Sequence, residues 1–521
     1  MKSYHLFIDG KDVESSNCDY SPIAKEMILN PRATIKLLSK LRKKEPILPE
    51  EESKIIGKYY LAEDSDIEKA IDSSSNAFEK FRIVPMKERA QVLVDVHDEL
   101  KRNKNDFIDL LVKEGHPYKL ALWQYENMLD GTSKDNVKLR IDQIEQTYSV
   151  SGEKIILTKK PDGVVLVIPP RNAPASNSFL ALSALINGNV LLIKPPQQLP
   201  ISTIYLWKNI VNKVIDKKGF SKGIINIIQG NSSKIVDKCL DSEKVKTVLI
   251  FGESQFGVNL GKKVYERSKK PILELSGNDL FIVWKDSKLG DKLFDSALEA
   301  FLGSTQICMV PKIFLIHHEI YDKFIEMFKG KLSQVKAGLP DDKSTWLSPV
   351  GKKKEYFSTL EDGILKGAKL FSGGNSINHK GEPDENGMFI SPTLLRIEDA
   401  EKFADMDCFK NEIFFPLIPV VKVGSANMSD EQILDKIEDL SNKNRFGLRT
   451  SIWARNANII NNLISRINNS GSIRVNSSHI GYSKYMATHG GTGLTGGAFG
   501  ELNYMCLRAA HLQGISIKKN D

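Results

Sequence analysis

A cysteine thiolate is a strong nucleophile, and this 521-residue sequence has five cysteines, at positions 18, 239, 308, 408 and 506. They are odd in number, far apart and never form a C-x-x-C, so neither a disulfide framework nor a zinc knuckle is indicated. Cys308, between Ile307 and Met309, reads on its own as a core residue; its other reading is a nucleophile. Glu274 lies 34 residues earlier and follows Pro271-Ile272-Leu273. A carboxylate among apolar neighbours should have a raised pKa and can act as a base near neutrality. Asn172 sits in a break directly after an apolar run, where it is either a turn former or a side-chain donor to a developing oxyanion. The break Gly252–Gly257 lies between a strand pattern and a helical one, where backbone N–H groups can receive a pyrophosphate. It is not a G-x-G-x-x-G. The nine histidines show no metal-ligand spacing, His317-His318 is expected to open a helix as a cap or surface pair, and no metal is implied.

The elements that must position these groups are legible as a pattern. Four β-branched apolar runs, Val164–Ile168, Val190–Ile193, Ile224–Ile228 and Val248–Phe251, are each followed by a Gly/Pro/Ser/Asn break and a helical segment. Continuous apolar runs suit strands buried on both faces, and their alternation with helices predicts a doubly wound parallel sheet, with ligands beyond the carboxyl ends of the strands. A second α/β set starts near Leu280, with strands over Phe281–Trp284, Lys312–Ile316, Leu417–Val423 and Thr450–Trp453 and helices through Phe294–Gly303 and Glu319–Val335. His5–Gly10 reads as strand and turn, residues 20–60 as a surface arm with one short helix, and Ser65–His116 as scaffold helices. The glycine-rich stretch His489–Gly500 is expected to be turns, not a strand, allowing close backbone approach to a ligand or a neighbouring subunit.

Composition excludes other classes. Lys+Arg 73 against Asp+Glu 65 leaves +8 over the whole length, too little for a strong field toward nucleic acid or anionic lipid, and Lys40–Lys44 and Lys352–Lys354 read as solvated surface. A hydrophobic share of 41% beside 26% charged residues is that of ordinary globular chains. No 18 apolar residues run together, and Met1–Ser16 has no signal-peptide run. A cytoplasmic protein with reduced thiols is expected, without membrane or nucleic-acid partners.

Six segments in order, GVVLVIPPRNAP from Gly163, KPPQQLP from Lys194, GESQFG from Gly252, ELSGN from Glu274, QIC ending at Cys308 and EIFFP from Glu412, together resemble the aldehyde dehydrogenase superfamily, from about Ser65 to Ile517. The resemblance implies an α/β fold: a doubly wound coenzyme-binding domain (1–145 and 161–276), an α/β catalytic domain (277–481) and a small oligomerisation element (146–160 and 489–521) forming a homodimer or homotetramer. It implies NAD(P)-dependent oxidation of a small-molecule aldehyde to a carboxylic acid, with Cys308 as nucleophile, Asn172 and the Cys308 N–H as oxyanion donors, and Glu274 activating water. Coenzyme contacts would come from Ile168, Pro169, Pro170, Lys194, Gln197, Gly230, Gly252, Ser254, Gly257, Leu275, Glu412 and Phe414. The aldehyde would enter by Asn177–Ala184, Ile307, Met309 and the loop after Asn476.

The sequence also departs from the family pattern. Gln197 replaces a usual glutamate and so admits NADP beside NAD. Glu253 stands where a small hydroxyl residue usually meets the pyrophosphate, leaving that role to Ser254. Ser276, Asn278 and Phe415 are further changes, and the HGGTGLTGG loop looks like that of a divergent branch. A coenzyme A-acylating enzyme, or a non-catalytic binding protein keeping the fold, are the alternatives.

Overall fold

The structure, a computed structural model, describes residues 1–518; the last three positions of the expected 489–521 tail lie outside the described residues. Two seven-stranded sheets dominate. The first runs in the order Lys270–Glu274, Val245–Phe251, Val164–Ile168, Val190–Ile193, Ile225–Ile227, Leu6–Ile8, Lys11–Val13. Its first five strands are parallel and the last two antiparallel. All residues of Val164–Ile168 and Val190–Ile193 are buried, as helices on both faces require. Successive strands step outward from Val164–Ile168 to one side through Val190–Ile193 and to the other through Val245–Phe251, so the order reverses there. In a doubly wound sheet that reversal leaves a crevice beyond the carboxyl ends of the strands.

The second sheet runs Lys369–Ser372, Thr393–Ile397, Leu417–Val423, Pro311–His317, Asp279–Val283, Arg449–Trp453, Ser472–Val475. All its pairs are parallel except that of the edge strand Lys369–Ser372. One face is packed by an aromatic cluster in which the rings of Phe281 and Phe314 lie 4.8 Å apart and those of Phe314 and Phe328 5.3 Å apart. A third, three-stranded sheet joins the hairpin Glu145–Val150 and Glu153–Pro161 to Ala510–Lys518, paired residue for residue from Ala510 on Pro161 to Lys518 on Glu153. Among the described residues no helix is long and apolar enough to cross a membrane, and the five cysteines are free.

Several expectations are corrected. The 20–60 stretch is not an irregular arm: Cys18–Pro22 pairs with Ile55–Tyr60, and three helices, Ala24–Leu29, Pro31–Arg42 and Pro49–Glu52, lie between them. Its lysines and arginines mask an apolar stripe, Thr34, Leu37 and Leu41, buried with Ile55. The predicted Phe294–Gly303 helix is α-helical only to Leu298, tightens to a 3-10 turn from Glu299, and leaves helical geometry at Leu302, after which Gly303, Ser304 and Thr305 are left-handed. The Ile224–Ile228 and Val248–Phe251 runs form the strands Ile225–Ile227 and Val245–Phe251, and the Glu319–Val335 helix covers Tyr321–Lys331. His317 does not open a helix; it ends the Pro311–His317 strand, buried with its ring 4.7 Å from that of Trp284, and its Nδ1 accepts from the Glu319 N–H at 3.3 Å.

Because Phe281 is fully buried at the centre of that aromatic cluster, Phe281→Ala is expected to lower the unfolding free energy by about 3–5 kcal/mol in a urea titration.

Candidate active site

The carboxyl edge of the first sheet faces the amino edge of the second. Ile168 and Glu274 end strands of the first; Cys308, Gly277 and Glu412 lie just before the strands Pro311–His317, Asp279–Val283 and Leu417–Val423 of the second. Between the two edges lies a cleft of about 630 Å³, inside the roughly 300–1,000 Å³ range of small-molecule sites. Its walls bring together Ile168, Pro169, Pro170, Asn172, Lys194, Gln197, Gly252, Glu274, Leu275, Cys308, Glu412 and Phe414.

Three sequence candidates are not among its walls. Ser254 is buried at the start of the helix Ser254–Glu266, and its hydroxyl donates to the Leu494 carbonyl at 2.7 Å. Its N–H, which should have faced a phosphate, donates to Ser276 Oγ at 3.2 Å. Gly257 instead lets this helix close on Leu275, whose side chain would lie 2.0 Å from a Cβ placed there. Gly230 turns the chain against Ala62. Glu253 faces the cleft as the helix N-cap without making a side-chain capping bond. The anion-binding capacity of this helix end is therefore reduced twice, by a spent donor and by a fixed negative charge.

Cys308 is partly exposed. The loop before it carries three consecutive left-handed residues, Gly303, Ser304 and Thr305, with φ of +61°, +59° and +62°. For serine and threonine this conformation costs about 1–3 kcal/mol each. Hydroxyl bonds offset it: Ser304 Oγ donates to the Ser348 carbonyl at 2.6 Å and Thr305 Oγ1 to the Ala300 carbonyl at 2.7 Å. Asn172 Nδ2 donates to the Gln306 carbonyl at 2.9 Å, so one of its two amide hydrogens braces the cysteine loop and the other is left for a ligand. Burial pushes the Cys308 thiol up to about 12; Lys312 pulls the other way, and Glu412, Glu274 and Asp279 add to the rise.

Glu274 is buried, which raises its carboxyl to about 8 against two donors that favour the anion. These are Asn503 Nδ2 at 2.6 Å on Oε1 and the Gly490 N–H at 3.0 Å on Oε2. The glycine-rich loop thus makes close backbone approaches to its own chain. Leu275 N–H donates to the Thr495 carbonyl at 2.9 Å, and a Cβ on Gly491 would lie 2.5 Å from the Gly447 carbonyl. Its one short strand, Thr492–Gly493, pairs with Phe446–Gly447.

Lys194 is buried, not a surface lysine: its Nζ donates to Ser232 Oγ at 2.5 Å, and burial, aided by Arg171, lowers it to about 8. Lys352 is exposed, as its surface reading expected, and borders the cleft with its ammonium 5.8 Å from the Phe414 ring. A smaller cavity of about 80 Å³, lined in part by Phe179, Leu180, Ser183, Met309 and Tyr482, lies behind the bonds Asn503–Glu274 and His489–Asn177. It takes in much of the expected aldehyde route, whereas Ile307 is packed in a core cluster. His317, His318 and Glu319, whose ligand atoms lie within 4.8 Å of one another, are not among these walls.

The sequence profile of the aldehyde dehydrogenase family matches residues 39–507, most of the chain. The chain belongs to that family. Among its relatives, D-glyceraldehyde dehydrogenase (NADP(+)) of Picrophilus torridus is 29% identical over 404 residues, 76% of this chain and 78% of that protein. The 3,6-anhydro-alpha-L-galactose dehydrogenase of Vibrio sp. is 25% identical over 503 residues, 95% of each chain. The crystal structure of an NAD-dependent aldehyde dehydrogenase from Sinorhizobium meliloti superposes with a TM-score of 0.81 over 99% of this chain and 95% of that one, at 22% identity.

In this aldehyde dehydrogenase family member, sequence reading missed several groups that build the site. Asn503 and Gly490 stand 229 and 216 residues from the carboxylate they hold; no local signal marks Asn503, and the glycine-rich pattern that marks Gly490 does not name its partner. Asn278 was noted only as a departure. It is fully buried, and its Nδ2 donates to the carbonyls of Cys408 and Asn411 at 3.1 Å while its Oδ1 accepts from the Ile413 N–H at 3.3 Å. It therefore ties down the segment that carries Glu412. Asn278→Ala strands these backbone groups, and the unfolding free energy is expected to fall by about 1–3 kcal/mol in denaturant titration.

Proposed function

We propose that this chain oxidises an aldehyde to a carboxylic acid with NAD or NADP, the acyl group passing through a thioester on Cys308. The observation that carries the proposal is the convergence of Cys308, Asn172, Glu274 and Glu412 on one cleft. The donor set fits a dinucleotide: Lys194, Gln197 and Glu412 offer polar groups for ribose hydroxyls, Phe414 a ring face, and Ile168, Pro169, Pro170, Gly252 and Leu275 line the same cleft. The neutral Gln197 amide does not repel a 2′-phosphate, and the Picrophilus relative named for NADP(+) supports the same coenzyme. When bound, the coenzyme supplies the hydride acceptor.

With its thiol pushed up to about 12, Cys308 rests neutral and gives its proton up to solvent in the cleft as sulfur adds to the carbonyl carbon. The carbonyl oxygen becomes an oxyanion, met by the free Asn172 amide hydrogen and the Cys308 N–H. Departure of hydride restores the carbonyl as a thioester. Glu274, once ionised, takes a proton from the water that attacks this carbon; the C–S bond breaks and the sulfur regains its proton.

Residues 1–145 and 161–276 then hold the coenzyme, residues 277–481 present the nucleophile, and 146–160 with the tail from 489 pack against a second copy. Exposed Tyr148, Val150, Leu512 and Ile517 on the three-stranded sheet support that contact.

Cys308→Ala is expected to reduce NAD(P)H formation from every aldehyde by at least about a thousandfold, read at the nicotinamide absorbance band, and undiminished turnover would refute the scheme. A second expectation concerns pH. The base works only when ionised, and its carboxyl sits at about 8, so the hydrolytic rate should climb as pH rises through about 8 and level off above it. Glu274→Gln should remove that limb and slow hydrolysis by about 10²–10⁴. Turnover that requires added coenzyme A would contradict the role given to Glu274.

A further inference from the structure

One charged side chain at this site has no role in the scheme above. Lys312 interrupts the apolar run Met309–Ile316 and is fully buried at the start of the Pro311–His317 strand, where an aliphatic residue would cost nothing. Its ammonium donates to Glu412 Oε1 at 2.7 Å and to the Gly277 carbonyl at 2.8 Å, and lies 5.4 Å from the centre of the Phe414 ring. Gly277 closes the arrangement: its N–H donates to the same Glu412 oxygen at 3.1 Å, and a Cβ on it would lie 2.5 Å from the Cys308 carbonyl oxygen. One carboxylate oxygen of Glu412 is thereby committed to the protein. A buried ion pair gives little net stability compared with apolar packing, so its weight here is in what it places.

We propose that Lys312 is a positioning residue: its ammonium clamps Glu412 onto the Gly277 turn that packs against Cys308, and so sets a positive charge on the cysteine's side of the cleft. The part concerning coenzyme rests on the function proposed above; the part concerning the thiol does not. The charges facing that sulfur are of mixed sign. Glu412, Glu274 and Asp279 oppose the thiolate and Lys312 favours it; Arg449, buried behind the loop on the His479 and Thr488 carbonyls, also feels Cys308. Removing Lys312 leaves three carboxylates facing the sulfur with no cation from the Pro311–His317 strand. Removing the Glu412 charge does the reverse.

The test is alkylation of the full-length, coenzyme-free protein by iodoacetamide between pH 7 and 9, followed at the Cys308 peptide by mass spectrometry. Below its midpoint the rate tracks the thiolate fraction, so Lys312→Met should slow modification by about tenfold at each pH, and Glu412→Gln should speed it. The opposite signs separate a charge effect from a loosened fold, and Glu412→Gln decides the matter if Lys312→Met does not fold. A Lys312→Met rate within about twofold of the parent, or a Glu412→Gln rate that falls, would overturn the proposal. In the same variants the KM for coenzyme should rise for Lys312→Met and Glu412→Gln, with no further rise in the double variant; additive rises would separate Lys312 from Glu412. A protein that shows the alkylation shifts but oxidises no aldehyde would sustain the Lys312 assignment on the thiol and refute the catalytic scheme.

Discussion

Residues 275–278 alone separate the last strand of one large sheet from a central strand of the other, and that short connection is the constraint from which the site follows. A chain this taut cannot let the two edges drift, so the carboxyl ends of one set of strands and the amino ends of the other must face each other across a narrow gap. Every residue of the connection is bound. Leu275 is held by Thr495, Ser276 by Ser254 and Thr495, Gly277 by Glu412 and Lys312, and Asn278 by the Cys408–Ile413 segment. Glu274 at its upstream end and Cys308, packed against its glycine, inherit their relative placement from it.

The price of this geometry is electrostatic. Three carboxylates, Glu274, Glu412 and Asp279, oppose ionisation of the Cys308 thiol, and burial raises Glu274 and Asp279 each to about 8. Low dielectric makes such a site resist charge of its own sign, so a neutral thiol and a largely protonated acid are its resting state at neutral pH. The groups that favour ionisation, Asn503 and Gly490 on Glu274 and Lys312 for the thiol, come from the late glycine-rich segment and from the Pro311–His317 strand.

Much of this was legible in the sequence, and what was not shares a cause. The buried strands declared themselves because Val164–Ile168 and its companions are contiguous, and the cleft residues lie in short segments attached to strand ends. Ser254 could not be placed, because the carbonyl that takes its hydroxyl is 240 residues away. The glycine-rich loop gave its flexibility in sequence but not the address of the backbone it touches. Lys312 did leave a mark, a single cation inside an eight-residue apolar run, but a lone lysine near a strand end is ordinarily solvated. The 20–60 stretch was misjudged because its helical stripe is narrow and its exposed faces are rich in lysine.

The two donors on Glu274 have a consequence for how the protein is made. Gly490 and Asn503 leave the ribosome 216 and 229 residues after the carboxylate they hold, an interval of roughly 10–45 s at ordinary rates of translation. During that interval the first sheet has all its strands, yet Glu274 lacks both partners and the Glu153–Pro161 strand lacks the nine residues that cover its edge. The nascent chain therefore carries an open sheet edge and an unbraced acid together through close to half of its synthesis, and the same late segment closes both.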